Sequence, residues 1–120
     1  MADRRIKLLL VDDHHIVLDG LVSLFEQDPD FQVLASCRSG EDALTFLNKE
    51  HPHVLLTDYS LPGISGLDFV KQVKRNHPQV KVIVLSMHDE AHIIKPVLKE
   101  GVEGYLLKNI QHIELKAAIR

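Results

Sequence analysis

The chain has little cysteine, no basic excess and no long apolar run, and each shortage closes off a class of protein. One cysteine, Cys37, in 120 residues leaves no partner for an internal disulfide, which fits a reducing compartment. Fourteen Lys and Arg against 17 Asp and Glu leave a net charge of -3, and that is not the balance of a nucleic-acid-binding domain. The N-terminal stretch IKLLLV is far shorter than a signal-peptide core or a membrane span and stops at Asp12 and Asp13. Low-complexity tracts, charge blocks and linkers are missing too. A soluble, cytoplasmic chain forming one domain over residues 1–120 is expected.

What the sequence does contain is an alternation of two periodicities. Short apolar runs, Ile6–Val11, Gln32–Cys37, Val54–Thr57, Lys81–Leu85 and Gly104–Leu107, have the length of buried parallel strands. Between them lie helical stripes: Val17, Leu21 and Leu24; Ala43, Leu44 and Leu47; Leu67, Val70 and Val73; Ile93, Ile94, Val97 and Leu98. A last stripe begins with Ile110, Ile113 and Ala117 and is cut off by the end of the chain, so a piece of a longer protein is expected. Ser39 with Asp42 suits a capping box, Asp89 suits the cap of the fourth helix, and Gly101 suits its close. The pattern is five βα units, an α/β chain with a parallel sheet covered on both faces.

Parallel strands open their C-terminal ends on one edge, where ligands bind in such sheets. Strand 1 ends in Asp12 and Asp13, strand 3 in Asp58, strand 4 in Ser86 and strand 5 in Lys108. Three crowded carboxylates repel unless a cation shares the site. Oxygen ligands alone suit a hard divalent ion such as Mg2+. With that ion and Lys108 to neutralise phosphoryl oxygens, and Ser86 to hydrogen-bond one, Asp58 becomes a plausible nucleophile toward phosphorus.

Over essentially its whole length, from IKLLLVDDH through LLTDYSLPGISGLDF and VIVLSMHD to GVEGYLLKN, the chain resembles the receiver domains of two-component response regulators. The resemblance implies a flavodoxin-like, doubly wound five-stranded parallel sheet of order 2-1-3-4-5. It implies Asp58 as the phosphoacceptor, Asp12 and Asp13 as the acidic pair holding Mg2+, and the Ser60 carbonyl completing the metal shell. Ser86 matches the hydroxyl that reports phosphorylation, Tyr105 the aromatic switch and Lys108 the phosphate-binding lysine. Ser60 and His88 match the positions that tune dephosphorylation. DDHHIVLDGL and GYLLK look most like regulators with a C-terminal helix-turn-helix DNA-binding domain, which is absent from this chain. The implied partners are a sensor histidine kinase, that output domain, and a second copy on phosphorylation, with no nucleic acid or membrane bound by this domain itself. Such a domain catalyses its own phosphorylation and dephosphorylation and is not a turnover enzyme.

Each assignment has a plainer competitor. Asp12 and Asp13 suit a helix cap, Asp58 a turn before Pro62 and Gly63, Lys108 a surface lysine and Tyr105 a core aromatic. A haloacid dehalogenase-type phosphatase needs a second Asp two residues after its nucleophile, and that residue is Ser60. A phosphorylation-independent interaction module is the other alternative. His88 and His92 in HDEAH have the spacing of a metal pair, but Asp89 stands where a zinc protease has its Glu, and no third ligand is evident. His14 and His15 follow the acidic pair, and one of them is expected near the site. Asn109 follows Lys108 where the family often has proline, and suits the cap of the last helix. Pro96 lies inside the fourth helix, where it removes the hydrogen bond to the His92 carbonyl.

Overall fold

A computed structural model describes residues 4–120. The chain alternates strand and helix: β1 (Ile6–Val11), α1 (His15–Glu26), β2 (Phe31–Cys37), α2 (Gly40–Leu47), β3 (Val54–Asp58), α3 (Gly66–Asn76), β4 (Lys81–Ser86), α4 (Ala91–Lys99), β5 (Gly104–Leu107) and α5 (His112–Ile119). All pairings are parallel, in the order β2-β1-β3-β4-β5. The chain therefore reverses its direction of travel across the sheet after β2, and the switch point lies between β1 and β3.

The central strands carry no polar alternation because both of their faces are covered. Leu9 and Val11 of β1 point into one core with Leu55, Val82 and Val84, sealed by Ala43 and Leu47 of α2, Phe69, Val70 and Val73 of α3, and Val97 of α4. Leu8 and Leu10 point into the other with Leu56, Ile83 and Leu85, sealed by Leu18 and Phe25 of α1 and Leu115 and Ile119 of α5. Phe25 meets Phe31 edge to face at 4.9 Å, a geometry that adds about 0.5–1.5 kcal/mol to area burial. No helix of the described residues is long and apolar enough to cross a membrane.

Local chemistry explains some of the boundaries. Ser39 Oγ accepts from the Asp42 N–H, and Ser65 Oγ from the Asp68 N–H, each at 3.1 Å. Gly101, at φ +84°, follows α4 in the left-handed region that glycine adopts without strain. Gly66 is needed for space, because a Cβ there would overlap the Tyr59 carbonyl.

Several expectations shift. The buried residues of α1 are Leu18 and Phe25, and Val17 is 39% exposed, so that stripe is rotated one position. In α5, Leu115 and Ile119 are buried while Ile113 is 82% exposed and Ala117 also faces outward. Apolar residues are spread around the segment rather than gathered in one stripe, and its phase is set by what it packs against. In α4 only Val97 is fully buried. Glu90, not Asp89, occupies the α4 cap, and Gln111, not Asn109, the α5 cap, neither with a side-chain bond. The peptides of the described residues are all trans. Pro96 lies inside α4 without breaking it.

Candidate functional site

The C-terminal ends of β1, β3, β4 and β5 converge at one edge. Asp12 follows β1, and its N–H donates to the Cys37 carbonyl of β2 at 3.0 Å. Asp58 is the last residue of β3, in register with Leu85. Ser86 ends β4, and Lys108 follows β5 with its N–H donating to the Ser86 carbonyl at 2.9 Å. Asp12, Asp58 and Ser86 are nearly inaccessible, at 1%, 3% and 1%. Backbone pairing at strand ends thus sets the side-chain positions, and packing below them holds the charges out of water.

Lys108 Nζ lies 3.0 Å from Asp58 Oδ2 and 3.3 Å from Asp12 Oδ2. Asp58 Oδ1 accepts from the Ser60 N–H at 3.2 Å. Burial pushes the Asp58 carboxyl above its ordinary value; the Lys108 ammonium pulls it back only in part, and neighbouring Asp12 pushes it further up. Burial pulls Lys108 down, but Asp58 and Asp12 more than offset this and hold it above the ordinary lysine value. The site is therefore short of positive charge.

The donor set fits a divalent cation. Asp12 Oδ2, Asp13 Oδ1 and Asp58 Oδ2 are buried and lack a well-formed hydrogen bond; Lys108 stands against the Asp12 and Asp58 oxygens as an ion pair. One ammonium shared between two buried carboxylates leaves negative charge that a further cation would balance. One ligand atom each from Asp12, Asp13, His14 and Asp58 lie within 4.8 Å of one another. Neither aspartate caps α1: His14 is the cap residue, and Asp12 Oδ1 accepts its N–H at 2.9 Å.

Of the two histidines after the acidic pair, His14 is the one that enters. Its Nδ1 stands 3.0 Å from Asp12 Oδ1 and 3.2 Å from Asp13 Oδ1. The only sequence signal was adjacency. His15 begins α1 and is exposed.

Ser86, His88 and Tyr105 form one chain through main-chain atoms. Ser86 Oγ accepts from the His88 N–H at 3.0 Å, and the Tyr105 hydroxyl donates to the His88 carbonyl at 2.9 Å. Burial raises the Tyr105 phenol above its ordinary value, against a lowering by Ser86. The His88 ring lies edge-on to Tyr59 at 5.8 Å, with Nδ1 3.6 Å from Glu90 Oε2. Ser60 is exposed beside Asp58. His92 is exposed on α4 and forms no metal cluster with His88 among the described residues.

A family profile described as "Response regulator receiver domain" matches residues 8–120. The transcriptional regulatory protein DegU of Brevibacillus brevis is 33% identical over 118 residues, spanning 98% of this chain and 50% of its own. The chain spans about half the length of the curated relatives it matches. The signal receiver domain of NarL from Mycobacterium tuberculosis superposes with TM-score 0.88 at 27% identity, covering 97% of this chain and 98% of that one. RcsB of Salmonella enterica serovar Typhimurium, bound to promoter rprA in the presence of phosphomimetic BeF3-, superposes with TM-score 0.89 at 32% identity over 96% of this chain and 66% of its own.

Proposed function

The chain belongs to the response regulator receiver family, and on that premise we propose that residues 1–120 are one receiver domain acting as a phosphorylation-controlled switch. A sensor histidine kinase supplies the phosphoryl group. An Asp58 oxygen attacks phosphorus, the P–O bond forms, and the P–N bond to the kinase histidine breaks with its electron pair returning to imidazole. The observation that carries this reading is the set of buried, undonated oxygens on Asp12, Asp13 and Asp58 beside Lys108.

Asp58 attacks as the carboxylate, so its burial has to be offset at the moment of transfer. Asp12, Asp13, Asp58 and the Ser60 carbonyl would hold Mg2+, which supplies charge neutralisation for the nucleophile and the phosphoryl oxygens. Lys108, already against Asp58, pairs with a phosphoryl oxygen after transfer. The Ser86 hydroxyl turns to donate to another. Because Ser86 Oγ accepts from His88 and His88 accepts from Tyr105, a move at Ser86 alters the peptide that holds Tyr105. The output surface is then α4, β5 and α5. Ser60 and His88 flank the water path to the acyl phosphate and set its lifetime.

By likeness to DegU and RcsB, the controlled output is transcription through a DNA-binding domain, in the cytoplasm. A phosphorylation-dependent second copy would pack on the face of α1 and α5, where Ile16 and Ile113 stand exposed, or on the face of α4.

The test is intact mass after treatment with a small phosphodonor and Mg2+. A stable gain of one phosphoryl group is expected in the wild type and none in Asp58→Asn. Full labelling of the variant would remove Asp58 as acceptor. Turnover of the donor without a mass gain would favour the phosphatase, and neither result the interaction module.

A further inference from the structure

We infer that His14 is a nitrogen ligand added to the carboxylate site, turning it toward a transition-metal ion such as Mn2+, Co2+ or Zn2+ at the expense of Mg2+. The inference rests on the reading of Asp12, Asp13 and Asp58 as the metal-holding cluster, and adds to it both a ligand and an ion class.

His14 occupies the cap position of α1, at φ -88° and ψ 112°, yet its side chain makes no capping bond. Capping therefore does not explain where the ring goes. Its own N–H is held by Asp12 Oδ1 at 2.9 Å, and this turn carries the ring over the acidic pair. Nδ1 then stands 3.0 Å from Asp12 Oδ1, 3.2 Å from Asp13 Oδ1 and 3.8 Å from Asp58 Oδ2. Nδ1 is hydrogen-bonded to Asp12 Oδ1, and a single N–H spent there leaves Asp13 Oδ1 and Asp58 Oδ2 facing the same nitrogen without a directed bond from it.

The same spacings suit ligation. Atoms bound at about 2.1 Å to one ion lie about 3.0 Å apart at right angles and about 3.4 Å apart at tetrahedral angles. The separations from Nδ1 to Asp12 and Asp13, 3.0 and 3.2 Å, fall within this span, and the 3.8 Å to Asp58 lies a little beyond it. The ring is 59% exposed and so has room to turn and complete a coordination shell. Two of the carboxylates, Asp12 and Asp58, have side chains only 2% exposed and share one ammonium, Lys108, while Asp13 Oδ1 is a buried acceptor without a hydrogen bond, so negative charge is left over for an ion. Imidazole suits borderline metals and carboxylate suits hard ones. A set of one nitrogen and three oxygens falls between them.

Oxygen-only sites also bind Zn2+ or Co2+ more tightly than Mg2+ in general, so the deciding quantity is the change in preference when His14 is removed. Wild type, His14→Ala and Asp13→Ala, each checked for folding by circular dichroism, are titrated with Mg2+ and Co2+ by calorimetry. Mn2+ bound to wild type is examined by pulsed electron paramagnetic resonance, with and without [15N]histidine labelling. A directly bound 14N signal is expected that changes with the label and vanishes in His14→Ala. The Co2+ to Mg2+ affinity ratio should fall roughly tenfold or more in that variant, at least the size seen when a ligand's outer partner is lost. Asp13→Ala should lose all three ions. Mn2+ bound without a histidine nitrogen signal would overturn the role of His14 and leave the carboxylate site standing. Equal gains in Co2+ and Mg2+ affinity in His14→Ala would also overturn it, making the ring a displaced counter-ion. Failure of wild type to bind any of the three ions would remove the site reading itself.

Discussion

At the scale of single residues, the charges at the sheet edge set a conflict between folding and chemistry. Asp58 is raised above its ordinary value chiefly by burial, so its ionisation costs stability in the metal-free protein. That cost is absent below the ordinary carboxylate range, grows as pH rises through the raised value and is complete above it. Asp58→Asn, which keeps an acceptor for the Ser60 N–H, is therefore expected to melt higher than wild type at pH 7 without metal. The difference should close as pH falls toward the ordinary range, and a gap independent of pH in paired melting curves would contradict the account. Lys108 has the opposite sign: its pairing contributes stability that is present below the ordinary lysine range and lost as pH rises through the raised value. Lys108→Met leaves Asp12 and Asp58 without their cation and should cost about 1–3 kcal/mol at pH 7 in denaturant titration. Adding Asp58→Asn should recover part of that, because the two residues share one interaction. The identity of these residues was legible from strand-end positions alone. The part played by His14 was not, since which way the ring turns at the helix cap depends on local hydrogen bonds to Asp12 that residue type and strand-end position do not specify.

At the scale of elements, strands were easier to place than helix faces. β1 and β5 begin and end where their apolar runs do; β3 and β4 each run one residue further, because backbone pairing extends past the last apolar side chain, and β2 begins one residue earlier, at Phe31, which pairs with Ile6. Helix phase was harder where apolar residues surround the helix. In α1, Ile16, Val17 and Leu18 are consecutive, and the sheet buries Leu18 while Ile16 stays 88% exposed. The α4 helix carries a specific weakness. Pro96 has no N–H to give the His92 carbonyl, and only Val97 anchors the element fully. Pro96→Ala should restore that bond and deepen amide exchange protection across α4, by up to about 2 kcal/mol once the freer unfolded chain is allowed for. Unchanged exchange rates through the helix would show that the proline imposes no local cost. In the proposed switch, a stiffer α4 also responds less to phosphorylation.

At the scale of the whole molecule, the sheet divides the interior into two cores, and the site lies at the one edge where both end. The end of α5 is tied to the α1–β2 loop: Arg120 meets Asp30 at 2.9 Å and Asp28 at 3.2 Å, above the Phe31 ring, and Lys116 meets Asp28 at 3.0 Å. The parallel sheet was legible from βα alternation, and its order, with the reversal after β2, from the family likeness. The Arg120 network was not, as it joins residues about ninety positions apart whose side chains read as ordinary surface charges. One buried group gives this architecture a further use. Cys37 closes β2 opposite Val11, its carbonyl receives the Asp12 N–H, and burial with the nearby Asp42 charge pushes its thiol up to about 11. A thiol so placed reacts with an alkylating reagent chiefly when the β1–β2 edge parts. Its modification rate is a built-in stopwatch for how often the strand bearing the acidic pair comes loose. Saturating Mg2+ should slow that clock in wild type and leave it running at its metal-free pace in Asp13→Ala, as read by mass; a rate indifferent to the ion would mean that β2 breathes independently of the site it borders.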